Sequence, residues 1–391
     1  MTATGSEEKS LNFETRAVHA GGHPDPESGA IAPPIHLSTT FERKADGETP
    51  HGYGYIRETN PTQERLEAAL ATLDGGAASL AFSSGMAAGA AVAQSLRPGA
   101  RIILTADSYY SFRVLASDFL QNWGIECQLV SMHRPDEVEA ALARPADLVW
   151  AETPSNPLMN ITDIREVAAL AHRGGARLLV DGTFATPALQ RPLEQGADIV
   201  LHSTTKYLGG HSDVQGGSLT FLHKDDFYER VLHVRHILGA VASPFNSWLV
   251  LRGIRSLSAR MRMHCANASA VAQFLASHEA VEMVHYPGLP TDPGHGTASR
   301  QMLAFGGMVS FRVRGDRARA IAVVAATRIF VRATSLGGVE SLIEHRASSE
   351  GPLSKVPENL IRLSVGLEHP DDLIDDLRQA LQGGSESGAP S

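Results

Sequence analysis

Between residues 78 and 222 short apolar runs alternate with stretches of helical spacing. The runs are ASLAF (78–82), RIILT (101–105), CQLVSM (127–132), DLVWAE (147–152), RLLVD (177–181), DIVLH (198–202) and GSLTFL (217–222). Helical patterns such as MAAGAAVAQSL (86–96) and DIREVAALAHRGG (163–175) lie between them. Strands that are apolar throughout must be covered on both faces, which parallel strands joined by crossover helices achieve. The pattern therefore predicts an α/β fold with a mostly parallel sheet. Just upstream, Leu66, Ala69, Leu70 and Leu73 recur at helical spacing, and Gly75-Gly76 stops them.

The flanks divide the chain further. Residues 1–60 lack sustained periodicity, and a long irregular segment of this kind is expected to be functional or packed on a partner. After SPFNSWLVLRG (243–253), a long helical pattern leads to strands GMVSFRV (307–313), IFVRATS (329–335) and LIRLSVGLE (360–368). The helix PDDLIDDLRQALQ closes the unit. We expect an arm over 1–60, an α/β domain over 61–245 and a smaller C-terminal α+β domain over 246–391.

Composition narrows the class. With 391 residues, 43% hydrophobic and 20% charged, the chain reads as an ordinary globular protein with a large core. A net charge of -9 argues against nucleic acid or an anionic membrane as partner. Two distant cysteines, Cys127 and Cys265, make neither a disulfide framework nor a structural zinc site, so no metal is expected and a reducing cytoplasm fits. The polar N-terminus has no secretory h-region, and no run reaches the about 18–20 apolar residues of a membrane span. The ending QGGSESGAPS reads as a disordered tail.

In an open parallel sheet, ligands bind beyond the carboxyl ends of the strands. There the sequence delivers Ser83-Ser84-Gly85-Met86, then Asp107, Tyr109 and Tyr110, then Glu152, Ser155 and Asn156. Asp181 with Gly182-Thr183 follows, and finally Ser203, Thr205 and Lys206. Ser84-Gly85-Met86 at a helix start offers backbone amides to a phosphate, although the same residues also make a plain N-cap. Asp181 ends a buried strand and needs a cation or donors, unless it too is a cap. Lys206 could be a surface lysine, but the chain has only five, and Lys9, Lys44, Lys224 and Lys355 all sit in polar surroundings. A lysine held among hydroxyls at the end of an apolar strand suggests an amine kept as a nucleophile, because arginine cannot form an imine. A phosphate cradle, a buried carboxylate, an aromatic that can stack and an imine-forming lysine together specify pyridoxal 5′-phosphate (PLP).

With these residues in place, the sequence resembles the Cys/Met-metabolism family of PLP enzymes. The resemblance runs from RAVHAGG (16–22) to LRQAL (377–381), through YIRETNPT, SSGMAA, ETPSNP, HSTTKYLGGHSD, SLGGVESLIEH and IRLSVGLE. It implies the PLP-dependent transferase fold, that is, the aspartate-aminotransferase-like fold type I, and a small amino acid as substrate. By motif, Lys206 would be the Schiff-base lysine and main proton shuttle, and Asp181 would bind the pyridine nitrogen, with Thr183 among the cofactor contacts. Ser84, Gly85, Met86, Ser203 and Thr205 would hold the phosphate, and Tyr55 and Arg57 would reach the phosphate of a neighbouring subunit. Tyr109 would stack on the ring and help to handle protons, and Asn156 would contact the phenolic oxygen. Arg362 would clamp the substrate carboxylate, with Ser335 nearby. A homo-oligomer follows from the arm, a dimer at minimum, with the tetramer as the family norm.

The chain also departs from the family pattern. Gly182 stands where the family usually has asparagine, and Tyr110-Ser111-Phe112 replaces small residues after the ring tyrosine. Ser111 occupies the position where methionine γ-lyases typically carry cysteine, which argues against that activity. HRASSEG replaces the usual HPASMTH, and the segment before LIRLSVG is shorter. Glu340 sits where γ-synthases and γ-lyases often carry an acid for a distal ammonium, although it reads equally well as a loop residue. The expectation is γ-elimination or γ-replacement of the cystathionine γ-lyase or γ-synthase type. β-Elimination, a biosynthetic reaction outside sulfur metabolism, or a homologue without catalysis are the alternatives.

Overall fold

The computed structural model describes residues 11–350 and 356–382. All but Gln382 of the tail read as disordered lies outside the described residues, as do Lys9 and Lys355.

The larger sheet has β1 (Ala78–Phe82), β2 (Arg101–Thr105), β3 (Glu126–Val130), β4 (Leu148–Glu152), β5 (Arg177–Asp181), β6 (Ile199–His202) and β7 (Gly217–Phe221). Their order is β1-β7-β6-β5-β4-β2-β3. Every junction is parallel except the two made by β7, which runs against β1 and β6. The reason is local: no helix separates β6 from β7, and a chain that returns without a crossover pairs antiparallel. Strands β1, β2, β4, β6 and β7 are buried along their whole length, as runs of apolar residues require, while β3 is a partly exposed edge.

Helix boundaries follow local chemistry. The helix Pro61–Asp74 starts at Asn60, whose side chain accepts from the Thr62 N–H at 2.9 Å, and stops at Gly75 with φ 76°. Before it, apart from a short helix Phe13–Val18, the arm is irregular and is tied down by backbone acceptors. Trp248 Nε1 donates to Pro33 O at 3.0 Å, and Arg65 Nη1 donates to Gly21 O at 3.0 Å.

The second sheet has β8 (Val281–His285), β9 (Met308–Val313), β10 (Val331–Arg332), β11 (Leu342–His345) and β12 (Leu360–Ser364), in the order β10-β11-β12-β9-β8. It is antiparallel apart from the β10–β11 pair. The sequence reading missed β8 and β11, whose charges and short length hide them. It also extended IFVRATS too far: only Val331–Arg332 pair, because the chain turns away at Ser335, which has φ 85°. The segment SPFNSWLVLRG, left without an assignment, forms the helix Pro244–Ile254.

The helix Leu257–Ser277 joins the two halves. Leu257, Met261 and Cys265 pack in a core with Tyr207 and Leu208, while Ala268, Val271, Ala272 and Leu275 pack under the second sheet. One rigid rod thus fixes the second sheet against the loop that carries Lys206.

Candidate active site

A cavity of ≈ 220 Å³ opens beyond the carboxyl ends of β1, β4, β5 and β6 and is closed on the far side by residues 334–336 and Arg362. Lys206 lines it, half-buried, one short loop after β6. Its Nζ donates to Ser335 Oγ at 2.6 Å. Burial, then the Arg362 charge and more weakly Arg346, pull the Lys206 ammonium from 10.5 down to about 8, against Glu344. An amine so placed loses its proton near neutral pH, which a surface lysine does not.

The glycines behind the lysine have a steric cause. Gly210 has φ +76°, and a Cβ there would stand 2.1 Å from Arg260 Nη1, in a guanidinium that bonds Tyr207 O at 2.8 Å and Gly253 O at 2.7 Å. Gly337 (φ +78°) lets the Ser335 loop approach the lysine backbone, since a Cβ would meet Tyr207 N at 2.7 Å.

The phosphate cradle is built from three loops. Ser84 caps the helix Gly85–Gln94 through the Ala87 N–H at 3.0 Å, so the capping reading holds, and the amides of Gly85 and Met86 still face the cavity end of that helix. A Cβ on Gly85 would meet Ser203 Cβ at 3.0 Å, and one on Gly217 would meet Ser84 O at 2.3 Å. Only glycine allows backbones this close, and the close approach is what leaves amides pointing at an anion. Thr205 Oγ1 bonds both ways with Gly216, donating at 3.1 Å and accepting at 3.0 Å. Thr183 Oγ1 accepts from Ser203 N at 2.9 Å.

At the end of β5, Asp181 is 5% exposed and accepts from the Thr183 N–H at 2.9 Å. Burial raises its carboxyl above the usual range, against the Thr183 bonds and His202. Asn156 Oδ1 accepts from Arg362 Nη1 at 3.0 Å. Arg362 Nη2 donates to Ser335 O at 3.1 Å and to Glu344 at 2.7 Å, and burial brings the guanidinium down to about 10. Tyr109 stands at the mouth, 40% exposed, edge-on to Phe112 at 5.9 Å.

Of the residues singled out from the sequence, Ser84, Gly85, Met86, Tyr109, Asn156, Asp181, Thr183, Ser203, Thr205, Lys206, Ser335 and Arg362 line this one cavity. Three do not. Glu340 accepts from the Ser212 hydroxyl on an outer loop. Tyr55 and Arg57 lie together on the arm, 5.4 Å apart, with Arg57 Nη1 donating to His236 O at 2.8 Å. The two departures at 110–112 and 346–350 meet in space: Tyr110, Ser111, Arg346 and Glu350 line an adjoining chamber, and Arg113 bonds Glu350 at 2.9 Å. Sequence reasoning missed Arg346, Glu344 and His202; the departure HRASSEG was the available signal for Arg346, and the other two carry none locally. Glu152 was noted at a strand end but given no role, although its position beside Asp181 was the available signal.

The residues fit PLP on the structure alone. A buried carboxylate with no lysine or arginine paired to it among the described residues fits a pyridine nitrogen, a glycine-lined cradle fits a phosphate, and a readily deprotonated amine lines the same cavity. Fold and site thus define a PLP enzyme of fold type I. The chain belongs to the Cys/Met metabolism PLP-dependent enzyme family, which matches over residues 14–382. It is 48% identical over 374 residues to the cystathionine gamma-synthase of Mycobacterium tuberculosis, covering 94% of this chain and 96% of that one. It is 40% identical over 387 residues to the cystathionine beta-lyase of Coxiella burnetii, covering 97% and 100%. The crystal structure of cystathionine gamma synthase from Xanthomonas oryzae pv. oryzae in complex with cystathionine superposes with a TM-score of 0.92 at 42% identity, covering 95% of this chain and 98% of that one.

Proposed function

We propose that the protein catalyses γ-replacement or γ-elimination on a γ-substituted L-amino acid, as in cystathionine synthesis or cleavage. The 48% identity to a cystathionine gamma-synthase carries the reading. The site agrees in chemistry: among the described residues Lys206 is the one amine lining the cavity, and γ-chemistry needs one base to move protons at several carbons. When bound, PLP supplies an electron sink for the substrate's α-carbon. Lys206 would hold the cofactor's aldehyde and, as a free amine, would move protons at the substrate, its low affinity for a proton suiting it to both tasks. Asp181 keeps the pyridine nitrogen protonated, with Thr183 fixing its carboxylate. Amides at Ser84-Gly85-Met86, with Ser203 and Thr205, hold the phosphate. Arg362 binds the substrate carboxylate as a fork pre-set by Asn156 and the Ser335 carbonyl. Tyr109 covers the ring and narrows access for water.

β-Elimination is the second reading, favoured by the identity to a cystathionine beta-lyase and by the place of Glu340 outside the cavity lining. Supplying L-cystathionine and measuring 2-oxobutanoate against pyruvate separates the two. Supplying a homoserine ester with L-cysteine and measuring cystathionine tests replacement. Pyruvate as the sole keto acid, with no cystathionine formed, would overturn the γ reading.

The same reading makes the irregular arm an intersubunit element, with the larger α/β unit ending near residue 245. Ile31 and Leu37 on the arm are 72% and 68% exposed, apolar surface that a second copy would cover. Tyr55 and Arg57 then serve a neighbour's phosphate in a dimer or tetramer, and Arg57→Ala loosens the cofactor. Full PLP retention in a monodisperse monomer would refute this. Among the described residues no helix is long and apolar enough to cross a membrane, and we place the enzyme in the cytoplasm.

A further inference from the structure

The cavity contains two carboxyl groups, and only one has a task so far. Glu152 and Asp181 end neighbouring parallel strands in paired register, each is 5% exposed, and both line the cavity. Two carboxylates side by side without water cannot both ionise unless a cation lies between them. No lysine or arginine forms an ion pair with either among the described residues.

Their surroundings decide which one holds the proton. Asp181 has the Thr183 N–H on one side and His202 behind it, on the strand whose Leu201 is its register partner. His202 Nε2 lies 2.9 Å from Asp74 Oδ1, and the other oxygen of Asp74 accepts from the Thr220 hydroxyl at 2.6 Å. Gly182 lets this imidazole come close, since a Cβ there would stand 3.1 Å from its Cε1. Among the described residues, the Glu152 carboxyl has one hydrogen-bond partner, the Tyr109 N–H, which donates to its Oε2 at 2.7 Å. Beyond that lies a like charge, Asp107, which holds Asn160 at 2.7 Å. Arg113, whose charge acts against that of Asp107, is engaged with Ser108 O and Glu350, and Lys206, Arg346 and Arg362, which also line the cavity, form no ion pair with Glu152.

We propose that Glu152 is a positioning residue that works as a neutral carboxylic acid. It fixes the backbone of Tyr109 beside the cofactor and leaves Asp181 as the single anion facing the pyridine nitrogen. Burial, then the Asp181 charge, hold the Glu152 carboxyl well above its ordinary range, in agreement. The proposal rests on the cofactor site and not on the identity of the substrate, so it stands or falls separately from the γ reading.

The test uses holoenzyme and the variants E152Q and E152A. Gln reproduces a neutral acid in shape, whereas Ala frees the Tyr109 N–H. We expect a protonated-carboxyl infrared band in wild type that E152Q lacks. The pH midpoint of the visible cofactor band should be unmoved in E152Q, because no charge is removed. In E152A, kcat should fall about tenfold to a hundredfold through misplacement of Tyr109, and E152Q should recover most of that loss. If Glu152 were ionised, the infrared band would be missing and E152Q would lower the cofactor midpoint by about one to two units. Either result overturns the proposal, as would failure of E152Q to recover the activity lost in E152A.

Discussion

The proton affinity of Lys206 is the sharpest quantity in the site. Burial is the larger cause of its fall to about 8, and the positive charge of Arg362 is the next. At pH 7 an amine with that value is about 9% neutral, against about 0.03% for one left at 10.5, a gain of roughly 300-fold in reactive form. Acylation of the apoenzyme by a small neutral reagent, read by peptide mass spectrometry at Lys206, measures this directly as pH is varied. The midpoint should lie near 8. In Arg362→Met the second-largest cause is gone, so the midpoint rises and labelling at pH 7 slows, while burial keeps the midpoint below 10.5. In holoenzyme the peptide should be protected. A midpoint at or above 10 in wild type, or a lower one in Arg362→Met, would refute the reasoning.

Three further changes probe the scaffold. Gly217→Ala places a Cβ 2.3 Å from Ser84 O and 2.6 Å from Gly85 N, and should weaken PLP binding about tenfold to a hundredfold by fluorescence titration. Arg362→Lys keeps the charge but cannot make the paired contacts to Asn156 and the Ser335 carbonyl, so KM should rise about tenfold or more with a smaller change in kcat. Asp376 accepts from the N–H groups of Arg328, Ile329 and Phe330 at 2.8, 2.8 and 3.1 Å. Asp376→Ala leaves all three unpaired, costs about 3 kcal/mol or more, and should lower the thermal midpoint by several degrees.

The sequence carried the large sheet because its burial is written in composition: short runs with apolar centres such as RIILT, alternating with helical stretches, fit strands covered on both faces. The second sheet was harder to see, since VEMVH mixes charge with apolar residues and LIEH is four residues long. The cofactor residues at the strand ends were legible because Ser84, Asp181 and Lys206 sit at or within a few residues of a strand's carboxyl end, where chain order alone brings them to one edge. What sequence could not convey is the pairing of distant charges. Glu344 reaches Arg362 through the register of β11 on β12, Arg346 pairs with the same Glu344 carboxylate, and Asp74 reaches His202 across 128 positions. Glu340 was suggested by the family resemblance and read equally well as a loop residue, and its carboxylate accepts from the Ser212 hydroxyl outside the cavity lining.

The most direct test of the central claim is the absorbance spectrum of the purified protein beside that of Lys206→Ala. The account predicts a visible band from lysine-bound PLP in wild type and its loss in the variant. A colourless protein that added PLP cannot reconstitute, or a variant with the band unchanged, would contradict it.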